Sequence, residues 1–555
     1  MALAVNYFAA KYLFANSSNQ VFLKTSAVII AFVAGSIFLS GKFYDVSFDG
    51  QWYHMETVIQ LKQGYNPAHQ ELPIPADEIW GNDFPVFCNG LIKPIPVSAK
   101  SGTPRVNLKY LNINNLDKGT EVIEAAIYGL TNRIETAKAV NVIMLLATLM
   151  LCVSALSRIN PSGPFKNWAL AALFAFNPIT LVQLNSFCVD GNVACSIVCL
   201  FAIACMLFID VNRYFLFALA SAITLAVTLK YTNLVYVVIC LAGFLLTLII
   251  YKKKEIFKKT LVAGAISVMT GVLCCGYHPY VTNYLRHRNI FYGLHDTRDE
   301  IKLLTPHLFL HLNRFETLFL SLTSRTGWYS ADKSSAWQVP KIPFTFTMDD
   351  IHNASDTMLK LSGMGPFFSG VLLVTLILLT VLLIRFRKNN IIKYALMAIL
   401  VIFATIAIVP DPWWARFVPQ LWLFPLIVLL AAEFVSFRGV RLLKGILYLS
   451  LVMSVAWGMM AIVFNVFSTA RVNYQMAQLK ALHQPVRMIY CRFESFKSNR
   501  IRFAEDGIPV TDKEPVTPNL YNVEASNTVF ETSVPLPDLP KPYLLRLSER
   551  IKAKK

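Results

Sequence analysis

The sequence predicts an all-α polytopic membrane protein with about eleven transmembrane helices, long outer loops and a small C-terminal extramembrane segment. Three observations predict this class. Of the 555 residues, 55% are hydrophobic and only 15% are charged, whereas soluble proteins carry about a quarter charged residues. The apolar residues lie in runs of about 20, which is the length that spans a hydrocarbon core, and not in the alternating segments of about 10 that a β-barrel requires. Short basic clusters separate many of these runs.

The predicted spans follow one another along the whole chain. They lie near 24–41, 138–157, 167–185, 190–209, 213–229, 232–250, 260–278, 365–385, 391–409, 417–435 and 442–468. With the N-terminus in the cytoplasm, nearly every short loop rich in Lys and Arg falls on the inner side, as the distribution of basic residues in membrane proteins requires. The first run is predicted to be a retained anchor, because no small-residue cleavage site follows it.

The net charge of +18 does not indicate nucleic-acid binding, because many of the basic residues lie in the loops between apolar runs. The ten cysteines include no Cys-x-x-Cys pair and no metal-ligand spacing with histidine. Eight of them lie in or beside apolar runs, where they are expected to pack between helices. Cys88 and Cys491 are the two in long polar segments, and the sequence leaves open whether they pair.

Two domains are predicted: a transmembrane module over 1–468, with long outer loops 42–137 and 279–364, and an extracytoplasmic segment over 469–555. The long polar segments are therefore predicted to lie on one face of the membrane. No internal repeat is visible, although a transporter built from two related halves is expected to show hydropathy symmetry. The organisation favours a protein that acts at that face on a lipid-linked or large substrate.

The segment after the first span carries the strongest candidate site. Asp45 and Asp49 lie a few residues beyond the outer interface, and Trp52, Met55 and Ile59 follow at helical spacing. This spacing predicts a short amphipathic helix on the membrane surface. A partly desolvated carboxylate at such a place can act as a general base on a hydroxyl. The structural alternatives are an N-cap for Asp49 and a solvated loop acid for Asp45.

The motif Asp49-Gly50-Gln51-Trp52-Tyr53 resembles the signature of the GT-C superfamily of membrane glycosyltransferases, which includes the protein O-mannosyltransferases and the lipid A aminoarabinose transferase. The resemblance implies a polyprenyl-phosphate-linked sugar donor and a glycan, lipid or protein acceptor at the outer face of the membrane. The low content of glycosylation sequons and the short inner loops make the cell inner (plasma) membrane the expected location. It implies Asp49 as the general base, with Asp45 as the substitute, because Gly50 stands where a second acid is usual. It implies no certain cofactor and leaves a divalent cation open.

Several further residues are predicted to bind substrate, each with a structural alternative. Asp190 and Lys230 lie in outer turns, where helix capping and snorkelling compete with a binding role. Arg416 follows Trp413-Trp414-Ala415 and suits a lipid phosphate, because its guanidinium pairs with two oxygens at once. The remaining candidates lie at the outer surface, where contact with interfacial groups or lipid headgroups is the alternative: His54, His278 and Arg286.

The predicted reaction is an inverting transfer, in which Asp49 deprotonates the acceptor hydroxyl while Arg416 and Lys230 hold the donor phosphate. Three alternatives stay open: an O-antigen polymerase or ligase, a transporter or flippase for lipid-linked sugars, and a scaffold subunit of an envelope complex. The sequence identifies neither the sugar nor the acceptor.

Overall fold

The computed structural model describes residues 6–7, 10–11, 18–73, 79–80, 105–106, 108–159, 163–294, 305–327, 340–435, 438–489, 496–513, 515 and 518–553. Helices dominate this part of the chain. The helices of eight or more residues, numbered in chain order, are α1 (Ser18–Ser40), α2 (Met55–Lys62), α3 (Leu108–Asn115), α4 (Gly119–Thr131), α5 (Ala139–Ile159), α6 (Pro164–Ala175), α7 (Asp190–Ile209), α8 (Arg213–Leu229), α9 (Tyr231–Ile250), α10 (Lys254–Thr270), α11 (Arg314–Thr323), α12 (Phe368–Phe386), α13 (Asn390–Ala407), α14 (Leu423–Glu433), α15 (Arg438–Leu482) and α16 (Tyr543–Ala553). Cys88 and Cys491 lie outside the described residues.

Shorter helical segments and strands connect these helices. The shorter helical segments are Gly50–His54, Ile134–Lys138, Pro178–Val182, Gly271–Cys275, Tyr277–Val281, Thr282–His287, His307–His311, Met348–His352, Asn353–Ser355, Ala415–Phe417, Pro419–Trp422 and Asn499–Glu505. The strands are β1 (Ile79–Trp80), β2 (Arg105–Val106), β3 (Val486–Ile489), β4 (Val510–Thr511), β5 (Asn519–Asn522) and β6 (Val529–Thr532).

Eight helices of the described chain are long and apolar enough to cross a membrane, which confirms the prediction of an all-α polytopic membrane protein. They are Ser18–Ser40, Ile134–Ile159, Asp190–Ile209, Tyr231–Ile250, Lys254–Cys275, Phe368–Phe386, Asn390–Ala407 and Arg438–Leu482. Each contains or closely matches one of the predicted spans.

The predicted count of eleven spans is not confirmed, because three apolar runs form shorter helices. The run near 167–185 is divided into α6 and Pro178–Val182: Asn177 accepts a bond from the backbone N–H of Ile179 and so starts a new helix. The run near 213–229 forms α8, which has 17 residues. The run near 417–435 begins with the tight helical turn Pro419–Trp422 before α14.

The amphipathic helix after the first span is present as α2, but its apolar face does not lie on the membrane surface. Met55 and Val58 are fully buried, and they pack with Tyr128 of α4 and with Phe187. The position predicted for this helix was therefore wrong: its apolar stripe is covered by protein. The helix thus holds the residues before it against the rest of the bundle.

The C-terminal segment forms a small domain around a four-stranded sheet with strand order β4-β3-β6-β5. Strands β3 and β4 are parallel, and the other two pairings are antiparallel. Helix α15 runs for 45 residues, and the predicted boundary at 468/469 falls inside it. Past that point, Val472, Met476 and Leu479 turn inward and pack against Phe530 of the sheet. One continuous helix therefore joins the membrane bundle to this domain.

A candidate ionic site

Four of the predicted site residues meet in one ionic cluster, which we call the ionic centre: Asp49, Asp190, Lys230 and Arg416. Nη1 of Arg416 donates to Oδ2 of Asp49 over 2.7 Å, and Nζ of Lys230 donates to Oδ1 of Asp190 over 2.6 Å. Nε of Arg416 lies 3.7 Å from Oδ2 of Asp190. Acids and bases alternate through the centre, so each charge has an opposite charge beside it.

Helix ends and turns bring these four residues together from distant parts of the chain. Asp49 precedes Gly50–His54, but its side chain makes no capping bond there, and the carboxylate of Asp190 accepts bonds from the side chains of Lys230 and Gln183. Asp190 occupies the first turn of α7, and Lys230 lies in extended backbone between α8 and α9. Capping and snorkelling therefore do not account for the two carboxylates and the lysine, whose side chains turn toward one another.

The ionic centre is largely removed from solvent. The side chains of Arg416, Asp49 and Asp190 are 9%, 11% and 6% exposed. Burial opposes the charge on the guanidinium, but the adjacent carboxylates of Asp49 and Asp190 outweigh it and raise the pKa of Arg416. Its Nε donor has no hydrogen-bond partner among the described residues. The guanidinium thus keeps one donor that no acceptor of the described residues has taken.

Three residues that the sequence analysis did not select surround the ionic centre. Gln183 donates to Oδ2 of Asp190 over 3.3 Å. Burial raises the pKa of Tyr53 well above its usual value, and the charge of Asp49 adds to the shift. Burial lowers the pKa of Lys360 to about 8, with Asp356 opposing and Arg416 adding to the shift. Tyr53 belongs to the motif of the sequence analysis and Gln183 to the predicted span near 167–185, whereas Lys360 lies in a long loop with no motif around it.

Asp45 is not a solvated loop acid, because the structure buries it completely. Its carboxylate accepts bonds from the backbone N–H groups of Ser47, over 2.7 Å, and Phe187, over 2.9 Å. Burial raises the pKa of Asp45 in spite of these bonds. The side chain thereby ties the motif to the turn that leads into α7, and none of its hydrogen bonds within the described chain reaches Arg416.

The packing of Asp45 explains why glycine occupies position 50. A Cβ atom on Gly50 would lie 2.0 Å from Oδ2 of Asp45 and 2.2 Å from Oγ of Ser47. Both groups are held by backbone bonds, so neither can easily withdraw. A second acid at this position, as in the resembled motif, would displace the Asp45 side chain.

We therefore expect Gly50→Ala to destabilise the protein by about 1–3 kcal/mol, because the added methyl group overpacks a rigid turn. The midpoint of thermal unfolding of the purified protein measures the effect. Gly129→Ala is the matched control, since a Cβ on Gly129 of α4 would have no atom within 4 Å. Equal midpoints for the two variants would contradict the close approach of Asp45.

The other three predicted site residues lie away from the ionic centre. Nδ1 of His54 lies 2.7 Å from Oε1 of Glu121, within the first long loop. Nδ1 of His278 lies 2.8 Å from Oγ1 of Thr282. Arg286 donates to the carbonyl oxygen of Pro67 over 3.1 Å. None of these contacts joins the residue to Asp49 or Arg416.

An arginine of the C-terminal domain supports the motif from behind. Arg502 donates to the carbonyl oxygen of Asp45 over 2.8 Å, to Oε1 of Gln51 over 3.0 Å and to Oε1 of Glu135 over 2.7 Å. Ser498 donates to the carbonyl oxygen of Gln51 over 2.9 Å. The residues on both sides of Asp49 are thus fixed by the short helix Asn499–Glu505 and the residue before it.

The ionic centre does not have the composition of a metal site. Within the described ranges, no group of three or more His, Cys, Asp or Glu side chains is placed to hold a metal ion. Asp49 and Asp190 face cationic side chains, and Arg416 between them would repel a divalent cation. A divalent cation therefore does not fit among these four residues.

Together, the fold and the ionic centre define a polytopic helical membrane protein whose buried charges meet at one end of its spans. The chain is similar to ArnT from Cupriavidus metallidurans bound to undecaprenyl phosphate, with 10% sequence identity, coverage of 92% of this chain and 98% of that chain, and a TM-score of 0.44. It is also similar to ArnT from the same organism in the apo state, with 12% identity, the same coverage and a TM-score of 0.41. No protein-family model and no curated protein matches the chain.

Proposed function

We propose that this protein is a GT-C-type membrane glycosyltransferase that moves a sugar from a polyprenyl-phosphate donor to a glycan, lipid or protein acceptor of the cell envelope. The observation that carries the proposal is the contact between Asp49 and Arg416, with Asp190 and Lys230 beside it. Such a centre combines a carboxylate that can take a proton with cations that can hold a phosphate. The proposed location is the cell inner membrane, with the N-terminus in the cytoplasm and the ionic centre at the outer face.

In the proposed reaction, the donor phosphate takes the place of Asp49 at the guanidinium of Arg416. Lys230, whose side chain is 30% exposed, adds a second positive charge from the mouth of the centre. Asp49, released from its counter-ion, then accepts the proton of the acceptor hydroxyl. Donor binding thereby prepares the base.

The transfer is proposed to invert the anomeric carbon. The acceptor oxygen forms a bond to that carbon from the side opposite the phosphate, while the bond between the carbon and the phosphate oxygen breaks. The electron pair leaves with the polyprenyl phosphate, whose charge Arg416 and Lys230 stabilise. The hydroxyl proton remains on Asp49. One carboxylate suffices because the phosphate leaves as a stable anion.

The direct test uses the full chain in lipid vesicles with a donor that carries a radioactive sugar and an extract of envelope acceptors. The expected result is release of free polyprenyl phosphate together with transfer of the label. Movement of intact donor across the vesicle membrane, with no bond broken, would instead establish the transporter alternative. A polymerase or ligase is distinguished by the acceptor, since either one joins glycans that are already assembled.

Arg416→Gln is expected to lower kcat/KM for the donor by about 10²–10³-fold, because one fixed charge opposite the leaving phosphate is lost. Arg416→Lys keeps the charge but loses the paired donors, so we expect a smaller loss of about tenfold. Steady-state kinetics with varied donor concentration measure both. Arg288→Gln, at an exposed position, is the control. If Arg416→Lys lowered kcat/KM as much as Arg416→Gln, the positive charge at this position would not be what stabilises the leaving phosphate.

Lys360 predicts a pH dependence of donor use. Because the pKa of Lys360 is about 8, its ammonium is present below that pH and is lost as the pH rises through it. A phosphate is attracted by the ammonium, so kcat/KM is expected to fall above about pH 8. Lys360→Arg should keep activity at high pH. Lys360→Gln should remove the fall in kcat/KM above about pH 8. Lys513→Gln, at an exposed site, should leave the profile unchanged. A profile for Lys360→Gln identical to that of the wild type would exclude this role.

A further inference from the structure

A large apolar cavity lies between the spans, apart from the ionic centre. Its volume is about 570 Å³. Side chains from α5, α7, α9, α13 and α14 form most of its wall, among them Leu156, Phe201, Phe244 and Ile427. Almost all of the lining is apolar. A cavity of this size and composition is suited to a hydrocarbon group and poorly suited to a sugar.

This cavity reaches the end of the bundle opposite the ionic centre. Helix α7 connects the two places: Asp190 in its first turn belongs to the ionic centre, and Ile209 at its last turn lines the cavity. A helix of this length spans about 30 Å, which is the thickness of the hydrocarbon core. Arg158 and Phe434, which also line the cavity, stand at the same far ends of their segments. The end of the cavity at these residues, which we call its mouth, therefore lies on the side of the other leaflet.

The mouth of the cavity is basic and aromatic. The exposed Arg158 lies at its rim, and Nζ of Lys253 is 5.5 Å from the centre of the Phe208 ring that lines it. The rings of Phe208 and Tyr394, both in the wall, are 5.0 Å apart.

The nearby acids do not cancel this positive charge. The carboxylate of Glu433 pairs with Lys166 and with Lys444, the latter over 3.3 Å. Asp210 accepts a bond from Asn212 over 3.0 Å. The four cations Lys166, Lys444, Arg158 and Lys253 outnumber the two acids Glu433 and Asp210, so a positive surplus remains at the mouth.

We propose that this cavity binds an acyl chain of an anionic glycerophospholipid from the leaflet opposite the ionic centre, with the lipid phosphate at Arg158 and Lys253. The apolar wall accounts for the chain, and the basic mouth accounts for the preference for an anionic headgroup. Basic and aromatic side chains at that depth are the groups that anchor headgroups at a membrane interface. This inference does not depend on the glycosyltransferase proposal, because it concerns a separate site with no reacting group.

The test measures the phospholipid that stays with the full chain through purification in a mild detergent, by extraction and mass spectrometry. The wild type is expected to retain about one phospholipid, with phosphatidylglycerol preferred over phosphatidylcholine by about fivefold. Ala398→Phe places a ring in the cavity and should lower retention by about fivefold. Leu400→Phe is the control, because Leu400 lies two residues further along α13 and is 63% exposed.

A second pair of variants tests the headgroup site without changing the cavity. Arg158→Gln with Lys253→Gln should abolish the preference for phosphatidylglycerol, whereas Arg441→Gln should not, because Arg441 is an exposed residue of α15 and that helix contributes no residue to the lining. Both changes lie at the surface, so this result decides the proposal even where Ala398→Phe does not fold. An unchanged headgroup preference, or recovery of a polyprenyl phosphate in place of a glycerophospholipid, would overturn it.

Discussion

Replacement of Asp49 by asparagine is expected to lower the rate of sugar transfer by about 10²–10⁴-fold, because the amide cannot accept the proton of the acceptor hydroxyl. Asparagine has nearly the same shape, and its amide oxygen can still accept the 2.7 Å bond from Arg416. Donor binding should persist, because the donor phosphate can displace the neutral amide from Arg416 as it displaces the carboxylate, while the chemical step fails. Single-turnover kinetics with labelled donor separate these two steps.

Two further variants sharpen this test. Asp349→Asn removes an exposed acid from a long loop and should leave the rate unchanged. Asp45→Asn should lower the midpoint of thermal unfolding. The carboxylate now accepts bonds from two backbone N–H groups, and one of them would face the amide nitrogen of asparagine, which cannot accept a bond. If Asp49→Asn transferred sugar at the wild-type rate, the base would lie elsewhere and the proposed mechanism would fail.

Replacement of Arg502 by methionine is expected to destabilise the protein by about 3–5 kcal/mol, because it breaks a buried ion pair and leaves its partners unsatisfied. The side chain of Arg502 is 3% exposed, and its guanidinium donates bonds to Glu135, Gln51 and the carbonyl oxygen of Asp45. Glu135 would keep only Lys138 as its cation. The unfolding midpoint and the transfer rate should fall together.

The neighbouring Arg500→Met is the matched control for this variant, since Arg500 belongs to the same short helix and is exposed. It should change neither stability nor rate. A wild-type unfolding midpoint for Arg502→Met would show that the C-terminal domain does not support the motif.

The membrane architecture could be predicted because its signal is carried by single segments. A run of about 20 apolar residues forms a span with little regard to what surrounds it. The count is not confirmed where a helix depends on its neighbours: the run near 167–185 breaks at Asn177 and Pro178, and the short α14 begins only after a tight helical turn. Such breaks are tolerated because other helices cover the exposed backbone. That covering cannot be predicted from the local sequence.

The meeting of Asp49, Asp190, Lys230 and Arg416 could be anticipated in outline, because each lies at a helix end on one predicted face. Their pairing could not, since it depends on how four segments pack. The roles of Lys360 and Arg502 had no signal in the sequence at all. Both are basic residues in polar segments, where most such residues are exposed, and only the tertiary contacts distinguish them.

The contact between Arg502 and Asp45 also has a consequence for biosynthesis. The two residues are 457 positions apart, and every span of the described chain lies between them or before them. Domains fold in the order in which they leave the ribosome, so all of these spans are made before the residue that secures the first motif. A chain whose synthesis stops after the last span would contain all four residues of the ionic centre and still lack the support that holds Asp49 in place. We therefore expect the segment around Asp49 to be fully supported only in chains that extend through Arg502.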